Sequence, residues 1–296
     1  MRLCDHVTVL KDGVVTADQS LAGTDADGLV RLMVGRDPGD LFPSWTATPE
    51  AETIVSVEGF SSGPLKDIDL TIRRGEVLGI GGLVGQGQED LLLGLYGALP
   101  ASARRASFDG VPGIPASVPK ANALGLAYVP ADRKREGLHL IHTIAWNMML
   151  PQFGRARGLS LRNRGKEKAL ALDLADHLGI KGDLTRQVQA LSGGNQQKVA
   201  LAKWMPSDPS ILLLNDPTRG VDVETKREIY ILLRRFASEG KAVVLSSSDT
   251  PELVHLCDRV AVMREGKVAA TLDRDGLSEE AIVAAAMGAE EAAQAA

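Results

Sequence analysis

Positive charge is scarce in this chain of 296 residues: 33 lysines and arginines stand against 38 aspartates and glutamates, a net charge of −5. Sequence-independent binding to nucleic acid needs a basic face, so no nucleic-acid partner is expected. No run of about eighteen apolar residues occurs, so no segment reads as a membrane-spanning helix. The N-terminal stretch MRLCDHVTVLKDG has no apolar core of the kind that marks a secretory signal. Cysteine is rare too. Cys4 and Cys257 lie far apart without metal-ligand spacing, which predicts buried, reduced thiols in a cytoplasmic protein. With 44% hydrophobic and 24% charged residues, the remainder is ordinary for a globular chain holding one large domain or two modest ones.

What the chain does contain is a repeat. Leu3–Ala17, LCDHVTVLKDGVVTA, aligns without gaps on Leu256–Ala270, LCDRVAVMREGKVAA, at an offset of 253, with eight of fifteen positions identical. Both cysteines and the turn glycines Gly13 and Gly266 are among them. The register continues through a helical stretch, ending at Met33-Val34-Gly35 in one copy and Ala286-Met287-Gly288 in the other. Each copy reads as strand, hairpin turn, strand and closing helix. The expected organisation is therefore residues 1–36 as the tail of a first unit and 53–288 as one whole unit. Asp37–Glu52, with three prolines and polar content, reads as the linker between them, and 289–296 as a disordered C-terminal tail. On this expectation the chain is the C-terminal part of a longer protein.

Within the whole unit, strands are predicted at Thr53–Glu58, Lys66–Ile72, Glu76–Ile80, Gly125–Val129, Ile211–Leu214 and Ala242–Ser246. Helices are predicted at Gln88–Tyr96, Glu224–Ser238 and Pro251–Leu256, and a helical region runs over Ile144–Ala190 with Lys166–Leu178 its clearest amphipathic stretch. Strands alternating with helices imply an α/β fold with a mostly parallel sheet and a helical insertion.

Two glycine-rich turns carry the chemistry. The octapeptide Leu191–Lys198, LSGGNQQK, runs into the helix VALAKW. Gly193 and Gly194 let backbone amides approach an anion, Ser192 adds a hydroxyl, and the helix directs its positive end the same way, with Asn195 and Gln196 in the first turn. The second turn, Gly82–Glu89 (GLVGQGQE), joins a strand to a helix, the context of a phosphate-binding loop. Gly82, Gly85, Gln86 and Gly87 would wrap a phosphate with their amides. The pattern GxxxxGK[ST] demands lysine and a hydroxyl residue next, where this chain has Gln88 and Glu89. Losing an attraction and adding a repulsion, each roughly 4 kcal/mol at about 4 Å and an effective dielectric near 20, should weaken polyphosphate binding by about tenfold or more even after heavy screening.

LSGGNQQK, together with VPADRKREG (Val129–Gly137) and NDPTRGVDVETKREIY (Asn215–Tyr230), resembles the second cassette of tandem ATP-binding subunits from bacterial monosaccharide importers of the ribose/galactose/xylose class, which are P-loop ABC cassettes. The resemblance runs from Leu3 to Gly288. The GQGQ spelling is also similar to nucleoside-importer cassettes. The resemblance implies a P-loop NTPase fold with a mostly parallel core sheet, an antiparallel β-subdomain and a helical signature subdomain. It implies ATP and Mg²⁺ as cofactors. It implies head-to-tail pairing with another ABC cassette, docking on a membrane permease at the cytoplasmic face of the bacterial inner membrane, and indirect work with a periplasmic sugar-binding protein. It places Asn215 and Asp216 at the magnesium and catalytic positions of the Walker B strand, where the family has aspartate and glutamate. It places Ser248 where the switch histidine belongs and Ala131 where glutamate or glutamine belongs. Asp222 falls at the dimer seam, and Phe60 is the nearest aromatic to an adenine position. The expectation is a degenerate pocket beside an intact signature that serves a partner's ATP, the alternative being a non-hydrolysing fragment that only docks. The apolar stretch His139–Leu150 reads as a permease groove or as core, and the basic run Arg133–Arg135 as a solvated loop.

Overall fold

The protein is described by a computed structural model covering residues 4–11, 14–22, 28, 41–43, 52–153 and 163–288. The predicted tail at 289–296 and most of the linker lie outside the described residues. In chain order the elements are β1 (His6–Lys11), β2 (Val14–Ser20), β3 (Thr53–Ser62), β4 (Leu65–Arg73), β5 (Val77–Gly82), α1 (Gln88–Leu95), β6 (Ala101–Ser102), β7 (Arg105–Phe108), β8 (Val111–Pro112), α2 (Val118–Ala123) and β9 (Leu126–Val129). There follow α3 (Ile144–Phe153), α4 (Arg164–His177), α5 (Gly193–Ala202), β10 (Ile211–Asn215), α6 (Val223–Ser238), β11 (Ala242–Ser246), α7 (Thr250–Leu256), β12 (Arg259–Arg264), β13 (Lys267–Asp273) and α8 (Glu279–Met287).

Every residue of β9, β10 and β11 is buried, as continuous apolar runs such as ILLL and AVVL require. They form one side of a six-stranded sheet ordered β13-β12-β5-β11-β10-β9, with β9 at its edge, parallel except for the β12–β13 hairpin. A five-stranded antiparallel sheet, β4-β3-β7-β8 with β6 on β3, packs beside it. Arg259 of β12 ties the two, pairing with buried Glu76 and donating to the Thr71 carbonyl. Between β9 and β10 lies the helical insertion. α4 buries only Ala171 and Ala175 and leaves Leu172 exposed, so it is a thinner amphipathic helix than its leucines predict.

The hairpin of the repeat is copied in three dimensions, while the closing helical stretch predicted for the first copy lies, apart from residue 28, outside the described residues. β1 and β2 pair His6 with Ser20 through Lys11 with Val14, and β12 and β13 pair Arg259 with Asp273 through Arg264 with Lys267. Each pairing is the other shifted by the sequence offset, and the register slips at the same place, after Val9 in one hairpin and after Val262 in the other. β12 has β5 beside it, whereas the first hairpin exposes Leu10, Val14 and Val15. Cys257 is buried as expected; Cys4 is exposed, contrary to expectation, because the first hairpin has no such cover among the described residues.

Behind α5, Lys203 is 8% exposed and donates to the Gly137 carbonyl at 2.7 Å with its cation over Trp204. Burial pushes its ammonium down from 10.5 to about 8. Between those two values the unfolded chain holds a proton the folded chain has lost, so stability rises with pH across that window. In urea titrations between pH 8 and pH 10.5, Lys203→Met should remove on the order of 2–3 kcal/mol of that rise. An unaltered pH slope would show that Lys203 titrates normally.

Candidate functional site

The carboxyl ends of β5, β10 and β11 open onto one cavity of about 290 Å³, lined by Gly82, Gly85, Gly87, Gln88, Glu89, Asp90, Ala131, Asn215, Asp216, Arg219 and Ser246–Ser248 among others. This is where an open α/β sheet places its ligand site. Gly87 caps α1 with φ of 101°, and a Cβ there would collide with Leu65, so only glycine lets the loop close over β4. The structure thus gathers almost every residue the sequence assigned to the phosphate loop, the Walker B strand and the switch segment.

It also shows what each is bonded to. Gln88 Nε2 donates to the Leu83 carbonyl at 2.8 Å, across the loop that lysine would serve. Gln86 Oε1 accepts from the Glu265 amide at 2.6 Å, fastening the loop to the β12–β13 turn, so its side chain is structural. Asn215 Nδ2 donates to Glu89 Oε1 at 3.1 Å. The carboxylate missing from the strand has moved to the helix, and the pair has exchanged donor and acceptor. Asp216, at φ 43°, accepts from the Ser248 amide at 2.6 Å through Oδ1, which ties it to the switch segment. Ser248 itself is exposed.

The balance of charge is adverse to a polyphosphate. Glu89, Asp90 and Asp216 line the cavity against Arg219 as the cation among the lining residues. Glu89 and Asp90 also occupy the first turn of α1, where they offset the positive helix end. Asn215 turns its amide hydrogens toward Glu89. These residues do not fit a magnesium-bound triphosphate held by this chain's own loop. Phe60 is not available to adenine either: it is fully buried, its ring against Gly94.

The signature turn is differently made. Ser192 caps α5, its Oγ accepting from the Asn195 amide at 3.4 Å and from Asn195 Nδ2 at 3.0 Å. Among the described residues its own hydroxyl proton has no acceptor. Gly194 is demanded by packing, since a Cβ would stand 2.8 Å from Thr225 Cγ2 on α6. Asp222 caps α6 by accepting from Thr225 N and Oγ1, both at 2.9 Å. Burial alone would raise its carboxyl; those bonds outweigh burial and hold it below the usual range. The remaining letters of the octapeptide serve the fold. Gln196, expected at the ligand, is 5% exposed and donates inward to the Val188 and Leu191 carbonyls. Lys198 holds the Gly179 carbonyl and pairs with Glu228 at 2.5 Å.

Two further features escaped the sequence. Glu252, 1% exposed, accepts from Tyr230 at 2.6 Å, from Ser247 at 2.5 Å and from Thr218, binding α6, the switch segment and the loop after β10 through one carboxylate. Phe42 stacks on Tyr230 and His255 outside it, at 5.0 and 4.5 Å between ring centroids. In the basic run, Lys134 and Arg135 are exposed, whereas Arg133 is buried, which corrects the solvated-loop expectation. The stretch after it divides: Ile144, Met148 and Met149 are core, while His139, Ile141 and His142 face outward.

A phosphate loop at the end of a parallel strand, an antiparallel β-subdomain and a helical insertion bearing a capped Ser-Gly-Gly turn define a P-loop NTPase cassette. The chain belongs to the ABC transporter family, whose description its residues 65–219 match and whose membership implies an ATP-binding domain. It is 41% identical over 97% of its length to a ribose import ATP-binding protein of Chromobacterium violaceum. The corresponding protein of Streptomyces coelicolor is 40% identical over the same share. The chain spans 57% of the length of both relatives. Among solved structures, a dimeric ATP-binding cassette bound to ADP and phosphate superposes with a TM-score of 0.64 at 21% identity, covering 74% of this chain and 98% of that one. A cassette of an ABC transporter complex from Clostridium perfringens does so at 0.66 and 24% identity, covering 78% and 92%. These two likenesses establish the fold.

The spent phosphate loop has a measurable consequence. In titration calorimetry with ATP and magnesium, the triple variant Gln88→Lys, Glu89→Thr, Asn215→Asp should bind at least about tenfold more tightly than the natural chain. Equal affinities would show that the three exchanges are neutral.

Proposed function

We propose that this chain is the C-terminal cassette of an ATP-binding subunit in a ribose-type sugar importer, and that its signature turn completes an ATP site whose phosphate loop belongs to a partner cassette. One observation carries the reading. The Ser192 hydroxyl at the start of α5 has no acceptor among the described residues, while the chain's own Gln88, Glu89 and Asp216 are bonded to its own protein atoms. The names of the relatives support the sugar class, and the 57% span supports a part of a two-cassette polypeptide. The matched hairpin registers support residues 1–36 as the tail of a first cassette, and its exposed Leu10, Val14 and Val15 form the kind of surface a neighbouring strand covers. Residues 37–52 then join it to the whole cassette at 53–288.

In this reading ATP with Mg²⁺ sits on the partner's loop, and Ser192, Gly193, Gly194 and Asp222 face it from across the seam. A permease at the cytoplasmic face of the membrane and a periplasmic sugar-binding protein complete the importer. No helix among the described residues is long and apolar enough to cross a membrane, in keeping with a peripheral place on the permease.

The purified chain alone should show negligible ATP turnover. Mixed with a cassette carrying an intact phosphate-loop lysine, it should support hydrolysis that Ser192→Ala lowers by about ten- to a hundredfold and Gln88→Ala in this chain leaves unchanged. Turnover by the isolated chain that Asp216→Ala abolishes would overturn the proposal in favour of a self-sufficient enzyme. Indifference of the mixture to Ser192 would favour a fragment that only docks.

A further inference from the structure

Arg133 is the buried member of the Arg133–Arg135 run, at 9% exposure. It forms no ion pair with a carboxylate among the described residues, and its Nε–H has no hydrogen-bond partner there. The adjacent Asp132 carboxylate is occupied, accepting from the Lys134 and Arg135 amides at 3.1 Å each. A buried cation with no direct ion pair, favoured only by the field of the neighbouring Asp132 carboxylate, is costly unless it is bonded to something that needs it. Its Nη1 donates to the Arg219 carbonyl at 2.8 Å and its Nη2 to the Gly220 carbonyl at 3.3 Å, both in the loop between β10 and α6. The same Nη2 lies against the signature turn, for a Cβ on Gly193 would stand 2.8 Å from it and 3.2 Å from the Gly220 carbonyl. The wide turn Arg133–Gly137 is held at its other end by Lys203, just beyond α5, through the Gly137 carbonyl. One segment therefore grips the signature helix at both ends, and its first residue joins the signature turn to the loop that carries Asp222.

We propose that Arg133 is a positioning residue that locks the signature turn, Ser192–Gly194, and the loop Arg219–Asp222 into a single surface and sets a positive charge behind it, toward an anionic nucleotide presented by a partner cassette. The proposal rests on the trans reading above. The planar fork matters as well as the charge. A guanidinium reaches two carbonyls from one side chain, an ammonium has no such fork, and glutamine brings no charge. The cation reinforces the positive start of α5 from behind.

Two measurements test this on Arg133→Gln and Arg133→Lys. In amide hydrogen exchange on the chain alone, both segments, 192–194 and 219–222, should exchange faster in Arg133→Gln and to a smaller degree in Arg133→Lys, while β10 and β11 keep their protection. Unchanged exchange in either segment overturns the proposal. Should Arg133→Gln not fold, Arg133→Lys decides on the same criterion. In the assembly with a cassette carrying an intact phosphate loop, Arg133→Gln should lower kcat by about tenfold with KM for ATP within about twofold, and Arg133→Lys should recover part of the loss. A rise in KM with kcat unchanged also overturns it. Absence of turnover with the natural chain contradicts the trans reading instead, and the exchange result then decides the role of Arg133 by itself.

Discussion

The strand Ile211–Asn215 is the constraint on which the rest depends. All five residues are buried, and they pair in parallel with β9 on one side and β11 on the other. Strands so placed need helices on both faces and long crossovers, which is why the helical insertion and α6 exist. The strand also fixes where it ends. Asn215 arrives beside Glu89, the next residue adopts the left-handed conformation that aims Asp216 at the Ser248 amide, and the loop beyond delivers Arg219 and Gly220 to Arg133. The phosphate loop, the switch segment and the signature surface are three dependants of one buried strand end.

Chemistry follows from how the polar groups around that end are satisfied. A nucleotide pocket keeps donors and cations waiting for a ligand. Here the corresponding groups bond one another: the carboxamide to the carboxylate, the glutamine to the loop, the aspartate to the switch backbone. Such a pocket is settled without an anion, and its lining charge opposes one. The signature turn has the opposite character: among the described residues its hydroxyl proton has no acceptor, and the buried guanidinium behind it forms no ion pair. These two faces are the ground for the proposal that the cassette acts on a phosphate held by another loop.

Much of this was legible in the sequence. Apolar runs such as ILLL and AVVL announced buried parallel strands, and the ungapped repeat announced two hairpins that match down to the bulge. The losses at 88, 89 and 215 could be read from residue chemistry alone. What could not be read were the pairings: that Asn215 meets Glu89 depends on a strand end and a helix start 126 positions apart. The same reason hid Arg133, which sits in a run of charges where its neighbours are solvated, and Glu252, whose three hydroxyl partners come from different elements. Gln196 misled in the other direction, because membership of a phosphate-binding motif does not say which face of the helix a residue occupies. Burial of a polar side chain is a property of the assembled fold.

The most direct test of the central claim is a count of nucleotides in the assembled pair. This chain, mixed with a cassette whose phosphate loop is intact but whose catalytic glutamate is replaced, should form a one-to-one complex in ATP and magnesium, and the bound nucleotide should be quantified after rapid gel filtration. One ATP per pair is the result expected if this chain contributes a signature and no nucleotide pocket of its own; two ATP per pair would contradict the account.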